Sequence, residues 1–158
     1  MVQPGQTVSV ARSADSSALV FHAGSMLCAL GLDDVIETMR PLGTRPLAGM
    51  PAFVRGVSIV RGVPTPVVDV ARLLGGERAE VCRFVAVRTE HGTVVFATGA
   101  VLGVRTTAAG DGSGHPGLLG AAGRLVAGVG TLDDEPVLLL QSMRVIPDEV
   151  WAAAAGEP

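Results

Sequence analysis

The chain has 158 residues, 48% hydrophobic and 17% charged, with a formal net charge of −3. That balance excludes a disordered chain, predicts a substantial core in one domain or two small packed lobes, and argues against a nucleic-acid binder. The 21 Gly and 10 Pro residues imply many turns and short elements, which favours an all-β fold over a helical bundle.

Residues 1–16 lack a basic region followed by an apolar one, so they read as a mobile tail rather than a secretory signal. Ser17 to Ala23 and Met26 to Leu30 read as two strands joined at Gly24-Ser25, a candidate type II′ turn. Leu32 to Val35 is a single turn, and Ile36 to Arg40 is extended and stopped by Pro41. Thr44 to Met50 is a loop with Pro46 and Gly49. Val54 to Val60 is then a strand, Arg61-Gly62 the reversal, and Val63 to Val70 the return strand. Pro64 and Pro66 sit two apart, so their missing N–H groups fall on one edge, which cannot complete a ladder. Asp69 is placed to cap a short helix, Val70 to Leu74, which Gly75-Gly76 ends.

The second half opens with a hairpin, Val81 to Arg88 and Thr93 to Thr98, around Glu90-His91-Gly92. A strand at Val101 to Thr106 and a Gly-rich loop from Thr107 to Gly123 follow. Arg124 to Leu132 and Pro136 to Gln141 form a hairpin around Asp133-Asp134-Glu135. Ser142 to Ile146 reads as a helical turn and Pro147 to Ala155 as a last helix. Gly56-Val57 recurs as Gly128-Val129, 72 residues on, and Pro66-Val67-Val68 as Pro136-Val137-Leu138, 70 residues on. The second hairpin is therefore expected to be two residues shorter at its turn. The expected fold is all-β: two interleaved five-stranded barrels over roughly residues 17–75 and 76–146, with short connecting helices and a C-terminal helix within 147–158.

Signals of catalysis are weak. All 12 basic residues are Arg, which excludes a lysine phosphate loop and Schiff-base chemistry. Gly112 to Gly117 matches G-x-G-x-x-G, but Pro116 and the Gly-rich surroundings argue for a plain loop. His22, His91 and His115 are isolated from other ligand types, and Asp133-Asp134-Glu135 reads as a solvated turn, so no metal is expected. Cys28 and Cys82 sit in apolar runs and read as two buried reduced thiols. Six Arg residues between Arg40 and Arg78 face only Asp69 and Glu77, which suggests a protein partner with acidic side chains. The positive signal is Arg61 at a hairpin end, a fork-shaped donor, together with Glu37 on an extended segment.

Pro51-Ala52-Phe53-Val54-Arg55-Gly56-Val57, Arg61-Gly62, Pro66-Val67-Val68-Asp69 and Leu73-Leu74 closely resemble the CheW-type chemotaxis coupling proteins. Cys28-Ala29-Leu30, Val35, Glu37 and Met39-Arg40-Pro41 extend the resemblance. Ile59 departs from it, since the family usually carries Asn there. The resemblance implies two SH3-like barrels and a non-enzymatic, cofactor-free adaptor between chemoreceptor tips and the regulatory domain of a CheA-type histidine kinase. It implies kinase binding by Gly56, Val57 and Gly62, with Gly56 letting the partner's backbone approach, so that Gly56→Asp would spare the fold. It implies receptor contact by Val35, Glu37 and Arg61, and a cytoplasmic location at membrane-associated receptor arrays, with no direct membrane insertion. A second, ring-closing contact would fall on the Gly-rich loop, where Leu118 and Leu119 are the anchors left; that contact is expected to be lost or weakened. The alternatives are an adaptor of a specialised motility pathway with fewer partners, and a split-barrel flavin- or ligand-binding protein.

Overall fold

The computed structural model describes residues 7–9, 16–108, 126–141 and 150–152. Eleven strands lie among them. β1 (Thr7–Ser9), β2 (Ser16–Ala23), β3 (Met26–Gly31), β9 (Val101–Ala108), β10 (Val126–Leu132) and β11 (Glu135–Leu140) form a closed barrel in the order β1-β10-β11-β3-β2-β9. β4 (Val35–Met39), β5 (Val54–Val60), β6 (Val63–Asp69), β7 (Arg83–Thr89) and β8 (Gly92–Thr98) form a five-stranded sheet in the order β4-β7-β8-β6-β5. A 3₁₀ turn, Leu32–Asp34, links β3 to β4, and the short helix α1 (Val70–Leu73) follows β6. The chain is mostly β, as its composition predicts.

The two units have the same internal order. β9, β10, β11, β2 and β3 in one correspond to β4, β5, β6, β7 and β8 in the other. In each, the third strand runs parallel to the fifth: β11 with β3 from Val137–Leu27 to Leu140–Leu30, and β6 with β8 from Val67–Val95 to Asp69–Ala97.

Alternation along the central strands fills two different spaces. Ala18, Val20, Leu27 and Ala29 point into the barrel with Leu132, Val137 and Leu139. Leu19, Phe21, Cys28 and Leu30, one residue out of phase, point away from it. They meet Val85, Val87, Val94 and Phe96 from the second sheet and Val70, Ala71, Leu73 and Leu74 from the α1 segment. Phe84, Val95 and Ala97 fill the second unit's own interior with Val60 and Val67. These strands are buried on both faces, which is why they read as continuous apolar runs rather than as polar–apolar alternation.

Several expectations are revised. The sheets do not divide at Gly75-Gly76. The first hairpin, β2–β3, pairs with strands from the far end of the chain, so one unit is nested within the other; pairing partners, not sequence neighbours, set sheet membership. Thr7–Ser9, expected in a mobile tail, form β1. The two hairpins are of equal length. Each has a bulge, between Val54 and Gly56 and between Val126 and Gly128, and each closes on a two-residue turn, at Val60–Val63 and Leu132–Glu135. Pro136, opposite Thr131, thus takes the place of Pro64, opposite Ile59, and the offset is 72 throughout. Arg61 (φ 50), Gly62 (φ 82), Asp133 (φ 50) and Asp134 (φ 67) are left-handed, the conformation that lets a two-residue turn follow the twist of its strands.

Cys28 is buried, but Cys82 is exposed, because it lies just before β7 and only its backbone is engaged, donating to Thr98 O at 2.8 Å. Residues 150–152 are helical, with Val150 in the shared core and the Trp151 ring 5.8 Å from that of His91. The rest of the expected C-terminal helix, the turn at Ser142 to Ile146, the G-x-G-x-x-G run, Leu118 and Leu119 lie outside the described residues.

Burial pushes the Cys28 thiol up to about 12, so it stays protonated and shielded. Iodoacetamide on the native protein should add one carbamidomethyl group, at Cys82. Modification of Cys28 should require denaturant, and peptide mapping by mass spectrometry reads both.

Candidate functional site

The β5–β6 hairpin is fixed from three directions. The first is a strap, residues 43–46, laid along the outer edge of β5. An antiparallel ladder alternates, so Val57, opposite Pro66, turns its N–H and C=O away from β6. Both groups bond Arg45: Val57 N donates to Arg45 O and Arg45 N to Val57 O, each at 2.8 Å. Beside them the buried Ser58 hydroxyl donates to Gly43 O at 2.8 Å and lies 2.9 Å from Thr44 Oγ1. The strap passes so close that a Cβ on Gly56 would overlap the Arg45 carbonyl and lie 2.9 Å from Pro46 Cα. Gly56 also has φ +138, which disfavours any L side chain.

At the base of the hairpin is Asp69, which is buried. Its Oδ1 accepts from Arg72 N at 3.2 Å, capping α1, and its Oδ2 accepts from Arg55 Nη1 at 3.2 Å. The third fixing point is the tip. Arg61 Nε donates to Glu37 Oε2 and Arg61 Nη2 to Glu37 Oε1, both at 2.6 Å, a fork-to-fork pair across 24 residues of sequence. It ties the turn to β4. Arg61 is 76% exposed and Glu37 25%, so the pair sits on the surface. The hydrogen bonds from Arg61, more than its charge alone, hold the Glu37 carboxyl below the usual carboxylate range, and Glu37 raises the guanidinium in return.

The structure thus brings together Glu37 and Arg61, with Gly62 exposed in the same turn. Val35 opens β4 and packs partly buried on the shared core. Val57 is half-buried with its backbone spent on the strap. Gly56 is buried, and its lack of a side chain serves the chain's own Arg45–Pro46 segment, not an incoming backbone, which corrects the expectation from sequence. Pro64 and Pro66 precede the point where β6 begins to pair with β8, so their missing donors fall on an unpaired stretch of that edge. Sequence reasoning missed the apolar residues beside the pair: Ile59, 60% exposed, and Val63, 58% exposed. The departure at Ile59 was the available signal. Of the Arg cluster, Arg55 and Arg61 are already neutralised within the chain. Among the described residues no cluster of His, Cys, Asp or Glu could hold a metal ion, and no helix is long and apolar enough to cross a membrane.

Two nested β units sharing one apolar core, a closed barrel and a five-stranded sheet, with a hairpin locked at base, edge and tip, define a two-unit all-β protein with an exposed hairpin surface. The chain belongs to the CheW-like domain family, whose sequence model matches residues 17–150. Its fold is similar to that of the scaffolding protein TtCheW from Thermoanaerobacter tengcongensis, with a TM-score of 0.72 at 20% identity over 82% of this chain and 91% of that one. No curated protein matches by sequence. Family and fold together support an adaptor role in chemotaxis signalling.

Gly56→Ala and Gly56→Asp should both destabilise the protein, by at least about 2 kcal/mol, through overlap with the strap and an unfavourable φ. Denaturant titration would read the loss, and an unchanged midpoint would contradict the strap geometry. Glu37 titrates lower when folded than when unfolded, so the support it lends the fold is present above the ordinary glutamate value and lost as pH falls through the lowered one. A carboxyl ¹³C titration should place its midpoint below that of a typical glutamate and return it to the ordinary value in Arg61→Ala.

Proposed function

We propose that this chain is a non-enzymatic adaptor coupling chemoreceptors to a CheA-type histidine kinase, working by protein contact alone and without a cofactor. It would act in the cytoplasm, at membrane-associated receptor arrays. The observation that carries this reading is the locked hairpin. A bidentate pair holds the Arg61 turn against β4 while Ile59 and Val63 stand exposed beside it. Surface ion pairs contribute little to stability, so a two-bond fork at an exposed tip is better explained by what it positions.

In this reading the regulatory domain of the kinase docks on the β5–β6 hairpin around Gly62. It uses the side chains of Val57, Ile59 and Val63 rather than the β5 backbone edge, which the strap already occupies. Gly56 contributes by seating the strap. Val35, Glu37 and Arg61 face the receptor, whose helical tip lies in the groove between the barrels. Ile59 adds apolar area where the family resemblance leads one to expect Asn, which would tune partner choice at this contact.

Calorimetry with the regulatory domain of the cognate kinase tests this. Ile59→Asp should weaken binding by about tenfold or more while the melting temperature stays close to that of the parent, because the side chain is exposed. Arg61→Glu should reduce recruitment to receptor fragments more than it reduces stability. Unchanged kinase affinity in Ile59→Asp would remove the hairpin from the contact.

A further inference from the structure

Each unit leaves the outer edge of its first hairpin strand to be covered by something else. In the second sheet the β5 edge is covered by the strap, part of the loop that follows β4 directly in the chain. In the barrel the corresponding strand, β10, is covered by β1. β1 lies in the seam between β10 and β9, antiparallel to the first at Ser9–Thr131 and parallel to the second at Thr7–Thr106, Val8–Thr107 and Ser9–Ala108. Both neighbours are remote from it in sequence.

β9 and β10 keep other partners without β1. β9 pairs with β2 from Ser16–Thr107 to Phe21–Val101, and β10 pairs with β11 from Val126–Leu140 to Leu132–Glu135. Removing β1 therefore leaves a barrel with an open seam, one side offering the β9 edge and the other the β10 edge. What joins β1 to this seam is a main-chain ladder on both sides, and a ladder is satisfied by any extended backbone that reaches it. β1 is three residues long and reaches β2 through residues 10–15.

We propose that the β9–β10 seam is a strand-acceptor site that takes β1 of a second copy of this chain in place of its own. The matching strand is present on every copy, and exchanging it replaces each ladder contact with an identical one, so the exchange costs little beyond association itself. The chain's own β1 competes at the high effective concentration set by a short tether, so exchange is rare in dilute solution and grows where copies are crowded.

The test uses a fluorescent peptide of residues 1–15, the full chain and a chain lacking residues 1–9. In fluorescence anisotropy the shortened chain should bind the peptide saturably, and the full chain should bind it about tenfold more weakly or less, because its own strand occupies the seam. Val8→Pro with Ser9→Pro in the peptide should abolish binding, since adjacent positions bond to opposite sides of a strand and proline cannot donate. In sedimentation the full chain should form a dimer whose share rises with concentration, and the same two substitutions in the chain should remove it. A folded shortened chain that ignores the peptide, equal binding of both peptides, or a full chain monomeric at every concentration would each overturn the proposal. So would loss of the β circular dichroism signal on removing residues 1–9, since β1 would then be an integral strand.

Discussion

Everything in this protein depends on one apolar layer held in common by its two sheets. Phe21, Leu30 and Cys28 from the barrel meet Phe96, Val85 and Val94 from the second sheet, and Val70, Ala71, Leu73 and Leu74 of the α1 segment join the same cluster. Neither sheet could be stable alone with that face in water, because a small five-stranded unit buries too little surface on its own. The layer also explains the chain path. The first hairpin, β2–β3, must pack against the second unit and pair with β9 and β11, so the chain lays down part of one unit, completes the other, and returns to finish the first.

With the centre committed, the edges become the problem. A five-stranded sheet of this order has two outer strands whose ladder groups need partners. The same hairpin strand is protected in both units, but by different means: a local strap over β5 and the remote β1 over β10. The strap dictates glycine at position 56 and a buried hydroxyl at Ser58. With the strap in place the outer backbone groups of Val57 are already bonded, while the Ile59 and Val63 side chains of the β5–β6 hairpin stay exposed.

Two arginine–carboxylate pairs brace that hairpin, and burial separates their roles. Asp69 is almost wholly enclosed, and its carboxylate divides its oxygens between the first turn of α1 and Arg55, so removing it would leave two part-buried donors without their acceptor. Glu37 and Arg61 stand at the surface, where solvent weakens their attraction but leaves their geometry. The first pair belongs to the fold. The second orients a turn whose neighbours, Ile59 and Val63, are the large apolar side chains most open to solvent among the described residues.

Local chemistry was legible in the sequence: strands from β-branched runs, the two-residue turn at Arg61-Gly62, the Asp69 cap, and the motif pattern that marks the family. These depend on neighbours a few residues apart, whose spacing the chain itself sets. The hairpin repeat was visible but misaligned, because Pro66 and Pro136 share a residue type while the bulges and turns that decide the register pair Pro136 with Pro64. Sheet membership, the use of the residues 7–9 segment as a closing strand, and the reason for Gly56 were decided only in three dimensions. Each rests on contact between segments remote in sequence, and such contacts are chosen by which apolar faces and unpaired edges must be covered together. No single stretch of chain carries that information.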